Sequence, residues 1–254
     1  VECVKLYCEP NGQFPHNPEP LPENLYEISK KVVESQSDFG IVVDPDVDRL
    51  AFVCEDGSMF GEEYTLVSVA DFVLSKKSGN TVSNLSSTRA LSDITKKHKG
   101  EYFASAVGEV NVVDMMKQNN AIIGGEGNGG IIYPELHYGR DALVGIALFL
   151  TQLAEKNLSC LSLRNSYPNY FISKNKIDLD PSINILNIFE QLALKFSKYK
   201  TNTIDGLKID FEEGWVHLRK SNTEQIIRVY SESNSKINSD NMAEKFISEI
   251  KNLL

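Results

Sequence analysis

The feature that most constrains the fold is a regular alternation of short apolar segments and helical segments over residues 1–160. A helical segment from Pro22 to about Ser35 is followed by two apolar runs, Phe39–Val43 and Leu50–Cys54. The same alternation predicts helices at about 63–75, 90–97, 112–117 and 140–155, and strands at 4–7, 80–85, 101–104 and 121–123. The helix at 140–155 is apolar almost all round, which predicts that it is buried. Short strands that alternate with helices indicate an α/β fold.

The last 90 or so residues follow a different pattern. Helices are predicted at 182–198 and 241–253, with several short strands between 203 and 231. The pairs Asp205-Gly206 and Glu213-Gly214 mark turns between these strands, because glycine adopts positive φ without strain. The sequence therefore predicts mixed-sheet α/β domains followed by an α+β C-terminal domain.

The charge balance argues against two classes of partner. The 254 residues include 26 Lys and Arg against 35 Asp and Glu, a formal net charge of −9. Nucleic acids and anionic membranes attract basic surfaces, and no apolar run approaches the roughly 18 residues of a membrane span. We therefore expect neither a nucleic-acid partner nor a membrane partner.

The cysteines indicate a cellular compartment, and the first residue indicates whether the chain is part of a longer protein. The four cysteines, Cys3, Cys8, Cys54 and Cys160, form neither a disulfide framework nor a Cys-x-x-Cys zinc motif. This usage favours reduced thiols in the cytoplasm. The chain opens at Val1 in strand-like composition without an initiator Met, so we expect it to be part of a longer protein.

An acidic loop directly follows the apolar run at 39–43. Its sequence is Asp44-Pro45-Asp46-Val47-Asp48-Arg49, and carboxylates at alternate positions of an extended segment project toward one side. Hard cations such as Mg²⁺ need converging oxygen ligands of this kind, and Arg49 could meet an anionic substrate beside the ion. A solvated acidic turn is the alternative. An EF-hand is rejected because Arg49 stands where that loop needs glycine.

A glycine-rich segment, residues 124–130, carries one carboxylate, Glu126, and one amide, Asn128. The spacing of three glycines fits the dinucleotide-binding pattern, but that pattern must open a helix, and Ile131-Ile132-Tyr133-Pro134 follows instead. Glu126 and Asn128 are suited to pairing with sugar hydroxyls where the backbone can approach closely. A plain flexible hairpin loop remains the alternative.

A polar turn rich in cations lies between two strands predicted at 215–218 and 226–230. It runs from Arg219 to Gln225, and Arg228 follows just inside the second strand. Backbone N–H groups of a Ser-Asn-Thr turn flanked by guanidinium groups form a compact phosphate cradle. An ordinary polar hairpin tip is the alternative, but the concentration of cations in a chain of net charge −9 favours the functional interpretation.

Taken in order, these three segments resemble the metal-, sugar- and phosphate-binding loops of the α-D-phosphohexomutases. The resemblance runs over essentially the whole chain and implies the end of domain 2 at 1–60, domain 3 at 61–162 and domain 4 at 163–254. In that family the first domain carries a phosphoserine in a Thr-Ala-Ser-His-Asn-Pro loop. His16-Asn17-Pro18 imitates the end of that loop, but Phe14-Pro15 stands where Ala-Ser is needed. The resemblance thus implies a partner outside this chain, the missing N-terminal domain of the same enzyme.

The resemblance also implies an activity, the transfer of a phosphoryl group between the 1- and 6-positions of a hexose phosphate or hexosamine phosphate. The sugar would be glucosamine, glucose or mannose, and the chain alone is expected to be inactive. The roles implied are Mg²⁺ ligands at Asp44, Asp46 and Asp48, catalytic groups at Arg49 and Glu109, sugar contacts at Glu126, Asn128 and Gly129, and phosphate contacts at Arg219, Ser221, Asn222, Thr223 and Arg228. One departure is Gln225, where the family usually has Pro, and it is expected to loosen the phosphate loop without removing its donors.

Two other classes of protein compete with this interpretation. A haloacid-dehalogenase-like phosphatase also places Asp-x-Asp after an apolar strand, but Asp48 stands where that motif needs Thr or Val. A non-catalytic sugar-phosphate binder would equally explain a chain without the nucleophile. An upstream Thr-Ala-Ser-His-Asn-Pro-like loop in the encoding gene would decide for the mutase.

Overall fold

The computed structural model describes residues 1–180, 183–221 and 224–254. They form two compact units, the first made of residues 1–104 and 108–168 and the second of residues 105–107 and 169–254. Helices and mixed sheets make up the first unit and an antiparallel sheet with helices the second. The predicted fold class is confirmed. The three-part division at residues 60 and 162 stays a prediction.

The first unit begins its regular structure with one helix and a two-stranded antiparallel sheet. A 3₁₀ turn at Pro22–Asn24 leads into α1 (Tyr26–Ser35), because proline needs no N–H donor in a first turn. Strands β1 (Phe39–Val43) and β2 (Leu50–Cys54) pair along their whole length. Both strands have the predicted bounds, and the loop between them is the acidic loop.

A second, four-stranded sheet of the first unit has the order β4-β3-β5-β6. Its strands are β3 (Asn80–Asn84), β4 (Tyr102–Ser105), β5 (Ala121–Glu126) and β6 (Gly130–Ile132). The helices are α2 (Glu62–Lys76), α3 (Ala90–Lys97), α4 (Glu109–Gln118), α5 (Ala142–Lys156) and α6 (Cys160–Asn165). Strand β3 is parallel to β5, whereas β6 is antiparallel to it. The sheet is therefore mixed, as predicted.

An aromatic cluster packs β2 against α5 in the first unit. The rings of Phe52 and Phe149 stack with centroids 3.8 Å apart, and Phe39 and Phe60 meet them edge-on. Buried aromatic pairs add packing energy beyond the area they remove from water. This cluster fixes the position of the loop that opens β2 relative to the start of α5.

Two predictions for the first unit are wrong. The predicted strand at 4–7 is irregular and exposed, and Tyr7 has a φ of +53°, which a strand residue does not adopt. Helix α5 is not buried all round, because Leu143 remains 65% exposed and only the face that includes Gly145 and Phe149 is buried. Both segments carry the expected apolar residues, but apolar composition does not supply a packing partner.

The second unit is a five-stranded antiparallel sheet of order β7-β11-β10-β9-β8. The strands are β7 (Phe171–Asp178), β8 (Lys200–Asn202), β9 (Leu207–Asp210), β10 (Gly214–Lys220) and β11 (Ile226–Ser233). Helices α7 (Ile185–Lys195) and α8 (Lys236–Lys251) share one core with the sheet, including Leu192, Leu218, Val229 and Phe246. Helix α8 begins five residues before the predicted start, where the Ser235 side chain caps it. Strands β10 and β11 position the predicted phosphate turn.

Candidate active site

The acidic loop is a tight turn whose backbone is held by hydrogen bonds within the loop and by a hydrogen bond from helix α5. Asp44 Oδ1 accepts the N–H groups of Asp48 and Arg49, both at 3.0 Å. Val47 has a φ of +60°, which is unfavourable for a β-branched residue and persists only where the surroundings impose it. The N–H of Ala142, the first residue of α5, donates to the Val47 carbonyl at 3.0 Å. The loop is therefore held to the helix by a direct backbone bond.

The three carboxylates of this loop converge. Oxygen atoms of Asp44, Asp46 and Asp48 all lie within 4.8 Å of one another, and Asp48 Oδ1 is buried without a hydrogen-bond partner among the described residues. The pKa of Asp48 is raised to about 6, mainly by burial and also by the neighbouring carboxylates of Asp44 and Asp46, while Arg140 acts to lower it. A buried oxygen without a hydrogen bond, within a cluster of like charges, fits a divalent cation.

Arg49 lies against the same carboxylates. Its Nε is 3.5 Å from Asp44 Oδ2 and 3.8 Å from Asp48 Oδ1, and its Nη1 is 3.6 Å from the exposed Glu19. The side chain remains 33% exposed. A guanidinium group at the rim of the acidic loop can therefore contact an anion that approaches the loop.

The glycine-rich segment forms a β-hairpin between β5 and β6, in which Glu126 is paired with Gly130. Gly129 has a φ of +87°, and a Cβ there would lie 2.2 Å from the Leu50 carbonyl oxygen. The Leu50 N–H donates to Gly129 O at 3.2 Å, and the Asn128 side chain accepts the Gly130 N–H at 3.2 Å. Only glycine allows this approach, which brings the hairpin directly against the end of the acidic loop.

Glu126 is buried and is held by three donors of the protein. Its Oε1 accepts from the side chain of Asn84 at 2.8 Å and from the N–H of Gly108 at 3.2 Å, and its Oε2 accepts from Arg140 at 3.0 Å. Asn128 is only partly buried. The hairpin thus presents a rigid carboxylate rather than a flexible loop.

Arg140 is a site residue that the sequence analysis missed. Its guanidinium group bonds to Asp48 and Glu126, and its Nε lies 3.3 Å from Glu109 Oε2. Its backbone N–H donates to Glu109 Oε1 at 2.9 Å. Arg140 directly precedes Asp141, the N-cap of α5, so the local sequence predicts only a helix start there and does not indicate the partners of the Arg140 side chain. Through Arg140, three predicted site carboxylates from separate segments meet.

The predicted phosphate turn joins β10 and β11 in the second unit. Ser221 is buried, and its hydroxyl accepts the Glu224 N–H at 3.3 Å. The Ser221 N–H donates to Ile226 O at 3.1 Å, which closes the hairpin. Two of the predicted phosphate contacts, Asn222 and Thr223, lie outside the described residues.

Cations lie directly opposite one another beside this turn. Arg219 is paired with Arg228 across β10 and β11, and Arg228 is paired with the exposed Lys176 across β11 and β7. Each arginine also has an acidic partner, with Arg219 at 3.6 Å from Asp205 and Arg228 at 3.7 Å from Glu224. Arg228 Nε is buried without a hydrogen-bond partner among the described residues. Like charges opposite one another repel, so an anion bound there would relieve the repulsion. Sequence reasoning missed Lys176 because its strand is remote along the chain.

Comparison with known proteins assigns the family. Models of the phosphoglucomutase/phosphomannomutase family match residues 1–57 as the alpha/beta/alpha domain II, 61–170 as the alpha/beta/alpha domain III and 187–248 as the C-terminal domain. The chain belongs to the α-D-phosphohexomutase family. Membership of this family supports a divalent metal ion at the acidic cluster, and it does not favour the dehalogenase-like phosphatase or the non-catalytic binder.

Individual phosphohexomutases resemble the chain over nearly its whole length. A phosphoglucomutase/phosphomannomutase of Thermococcus kodakarensis is 35% identical over 91% of the chain and 51% of the relative. A phosphoglucosamine/phosphogalactosamine mutase of Sulfurisphaera tokodaii is 32% identical over 93% of the chain and 52% of the relative. The crystal structure of a family protein from Burkholderia thailandensis matches with a TM-score of 0.80 at 25% identity, over 93% of the chain and 51% of that protein. The chain spans about half the length of the phosphohexomutases it matches.

No helix in the described part of this phosphohexomutase chain is long and apolar enough to cross a membrane.

Proposed function

We propose that this chain supplies the metal, sugar and phosphate sites of a phosphosugar mutase, which moves a phosphoryl group between the 1- and 6-positions of a hexose phosphate or hexosamine phosphate. The observation that carries the proposal is the meeting of the acidic loop and the glycine hairpin. Leu50 and Gly129 bond at 3.2 Å, and Arg140 bonds to Asp48 and Glu126. A cation site beside a site for hydroxyl groups is what transfer to a sugar requires.

The acidic loop takes the metal role in this proposal. Asp44, Asp46 and Asp48 would hold Mg²⁺, a hard cation that prefers carboxylate oxygens. When bound, the ion supplies positive charge against a transferring phosphoryl group, and such transfer depends mainly on positioning and charge neutralisation. Arg49, which lies at the rim of the loop, would contact the oxygens of that group.

The sugar would lie against the glycine hairpin. Glu126, Asn128 and Gly129 would orient it through its hydroxyl groups, with Glu126 held rigid by its protein donors. Glu109, whose side chain is 35% exposed, would exchange a proton with the reacting hydroxyl. This proton transfer completes the role of the first unit.

The second unit would bind the non-reacting phosphate. Arg219, Ser221, Asn222, Thr223 and Arg228 are the proposed contacts. The cross-strand pairing of Arg219 with Arg228 supports this assignment, because guanidinium groups bond to phosphate oxygens in a fixed planar geometry. The names of the relatives support glucose, mannose or glucosamine as the sugar.

The phosphoserine that exchanges the phosphoryl group is proposed to come from the missing N-terminal domain. No Thr-Ala-Ser-His-Asn-Pro motif occurs among the 254 residues. The proposed division is the end of domain 2 at 1–60, domain 3 at 61–162 and domain 4 at 163–254, in a cytoplasmic enzyme. The proposal includes neither a nucleic-acid partner nor a membrane partner.

The metal role is tested by titrating the chain with Mg²⁺ and Mn²⁺ in a calorimeter. We expect weak binding, and Asp46→Asn should weaken it by about tenfold or more because one of three ligand charges is lost. Asp114→Asn is the matched control, since Asp114 is exposed on α4, and it should leave binding unchanged. Equal titrations for Asp46→Asn and the wild-type chain would remove the acidic loop from the proposal.

The phosphate role is tested by adding glucose 6-phosphate or glucosamine 6-phosphate to ¹⁵N-labelled protein. The Ser221 amide and the Arg228 Nε resonances should shift, and Arg228→Gln should weaken binding by about 10- to 100-fold, because a hydrogen bond between charged groups contributes about 1.5–3 kcal/mol. Lys251→Gln, an exposed change at the end of α8, is the control for lost charge. Shifts that avoid Ser221 and Arg228 would contradict the assignment.

A further inference from the structure

Arg140 contacts carboxylates from three separate segments of the first unit. Its two terminal nitrogens bond to Asp48 and Glu126, and its Nε and backbone N–H face the two oxygens of Glu109. The side chain is only 15% exposed. The planar guanidinium group presents its donors in a fixed fork, so the three carboxylates have a set spacing.

The two oxygens of Asp48 have different surroundings. Oδ2 bonds to Arg140, whereas Oδ1 is buried without a hydrogen-bond partner among the described residues and lies within the cluster formed with Asp44 and Asp46. A carboxylate held through one oxygen presents the other in a fixed direction. Partners that orient metal ligands in this way typically change metal affinity by 10- to 100-fold when they are removed.

We propose that Arg140 is a positioning residue that orients Asp48 toward the metal and Glu126 toward the sugar, so that the acidic loop and the glycine hairpin act as one rigid site. This inference rests on the proposed function, since it assumes that Asp48 is a metal ligand. Arg140 touches neither the ion nor the sugar in it. Its contribution is the fixed relation between the two loops.

The loss of Arg140 has two opposing effects on the affinity of the acidic loop for a cation. Removing a positive charge beside the acidic cluster would by itself strengthen cation binding by Coulomb attraction. Removing the bond to Asp48 Oδ2 frees the carboxylate to rotate away from the direction that the cation needs, which weakens binding. The bond is direct and the ligand is partly buried, so we expect the second effect to dominate.

The experiment is Mn²⁺ titration of the 254-residue chain, followed by electron paramagnetic resonance, for the wild type, Arg140→Gln and Arg140→Lys. Arg140→Gln should weaken Mn²⁺ binding by about 10- to 100-fold. Arg140→Lys should recover part of this loss, because an ammonium group can again donate to a carboxylate but reaches fewer of the three. Unchanged or tighter Mn²⁺ binding by Arg140→Gln would overturn the inference.

Arg164→Gln is the control for an arginine that only stabilises the fold. Arg164 donates to the Phe60 carbonyl at 2.9 Å and stacks on the ring of Tyr64. This variant should lower the melting temperature without changing Mn²⁺ affinity. Arg140→Gln should weaken Mn²⁺ binding, and its melting temperature should be no lower than that of Arg164→Gln. A melting temperature of Arg140→Gln below that of Arg164→Gln would show a merely structural role for Arg140.

A metal-free measurement separates this inference from the proposed function. The Gly108 N–H donates to Glu126, which Arg140 also binds, so Arg140→Gln should shift the Gly108 amide resonance while Arg164→Gln should not. If the wild-type chain binds no Mn²⁺, the proposed metal site is wrong, and a Gly108 shift still supports the positioning of Glu126. An unshifted Gly108 resonance overturns the inference whatever the metal result.

Discussion

Residues 1–254 alone are expected to show no phosphosugar mutase turnover, even with Mg²⁺ and a sugar bisphosphate present. Covalent phosphoryl exchange needs a nucleophile in an activating environment. The nearest alternatives to the phosphoserine are Ser86 and Ser87, which follow β3, and Ser87 contacts the glycine hairpin. Its hydroxyl is buried, donates to the Asn84 side chain at 3.1 Å and accepts the Gly127 N–H at 3.0 Å. Ser87 is therefore occupied in holding the glycine hairpin.

Turnover should return when a segment with a Thr-Ala-Ser-His-Asn-Pro loop is supplied, either fused to Val1 or as a separate fragment. Changing the serine of that loop to alanine should abolish it again. The measurement is a coupled assay for conversion of glucose 1-phosphate to glucose 6-phosphate, with glucosamine and mannose phosphates as further substrates. Any turnover by the fused protein but not by its alanine variant identifies the nucleophile.

Robust Mg²⁺-dependent turnover by residues 1–254 alone, abolished by Ser87→Ala, would contradict this division of labour. Ser87→Ala also removes the bond to Gly127, so its melting temperature must be compared with that of the wild type before the loss is ascribed to chemistry. Ser162→Ala serves as a matched control, because Ser162 is on α6, where it bonds only to the N-cap Ser159 among the contacts described.

The elements that the sequence predicted well are those whose signals are local. Strands β1 and β2 and helix α3 have the predicted bounds, because each is an apolar run or an amphipathic segment ended by turn residues beside it. The apolar residues after the glycines likewise excluded a helix there, and in the structure the segment joins β5 to β6 as a hairpin. A helix or strand can be predicted from its own residues where those residues also determine where it begins and ends.

Contacts that are remote in sequence could not be predicted in this way. Arg140 binds carboxylates from three other segments, and Lys176 pairs with Arg228 from the far side of β11. Each of these cations is followed by ordinary helix or strand residues, so the residues beside it along the chain say nothing about its partners. The predicted strand at 4–7 failed for the converse reason, since a strand needs a partner that the local residues cannot specify.

Asp71 is at the centre of another set of contacts between residues that are remote in sequence, and we expect these contacts to stabilise the fold. It lies buried on α2, and its carboxylate receives His98 Nε2 and Lys156 Nζ, both at 2.8 Å, and the Tyr167 hydroxyl at 3.2 Å. Burial alone would raise the pKa of Asp71, but the bonds from Lys156 and His98 outweigh it and lower the pKa to about 2. The group is therefore ionised throughout the neutral range and is the anionic centre of a cluster of donors.

Asp71→Ala should destabilise the protein by about 3–5 kcal/mol at pH 7, because removing one partner from a buried ionic cluster leaves the others uncompensated. Urea unfolding followed by circular dichroism measures this free energy. Asp114→Ala, an exposed change on α4, is the control and should stay within about 0.5 kcal/mol of the wild type. Equal losses for the two variants would show that the cluster contributes nothing.

The pH dependence of the unfolding free energy gives an independent test of the Asp71 contribution, and its direction can be predicted. The pKa of Asp71 is lower in the folded state, about 2, than the roughly 3.9 of an unfolded aspartate, so between these values the unfolded chain binds more protons. The stabilising contribution of Asp71 is therefore complete above about pH 4 and disappears as the pH falls through 2. The difference in unfolding free energy between the wild type and Asp71→Ala should shrink over that interval. A difference that stays constant from pH 5 to pH 2 would mean that the ionised carboxylate is not what stabilises this cluster.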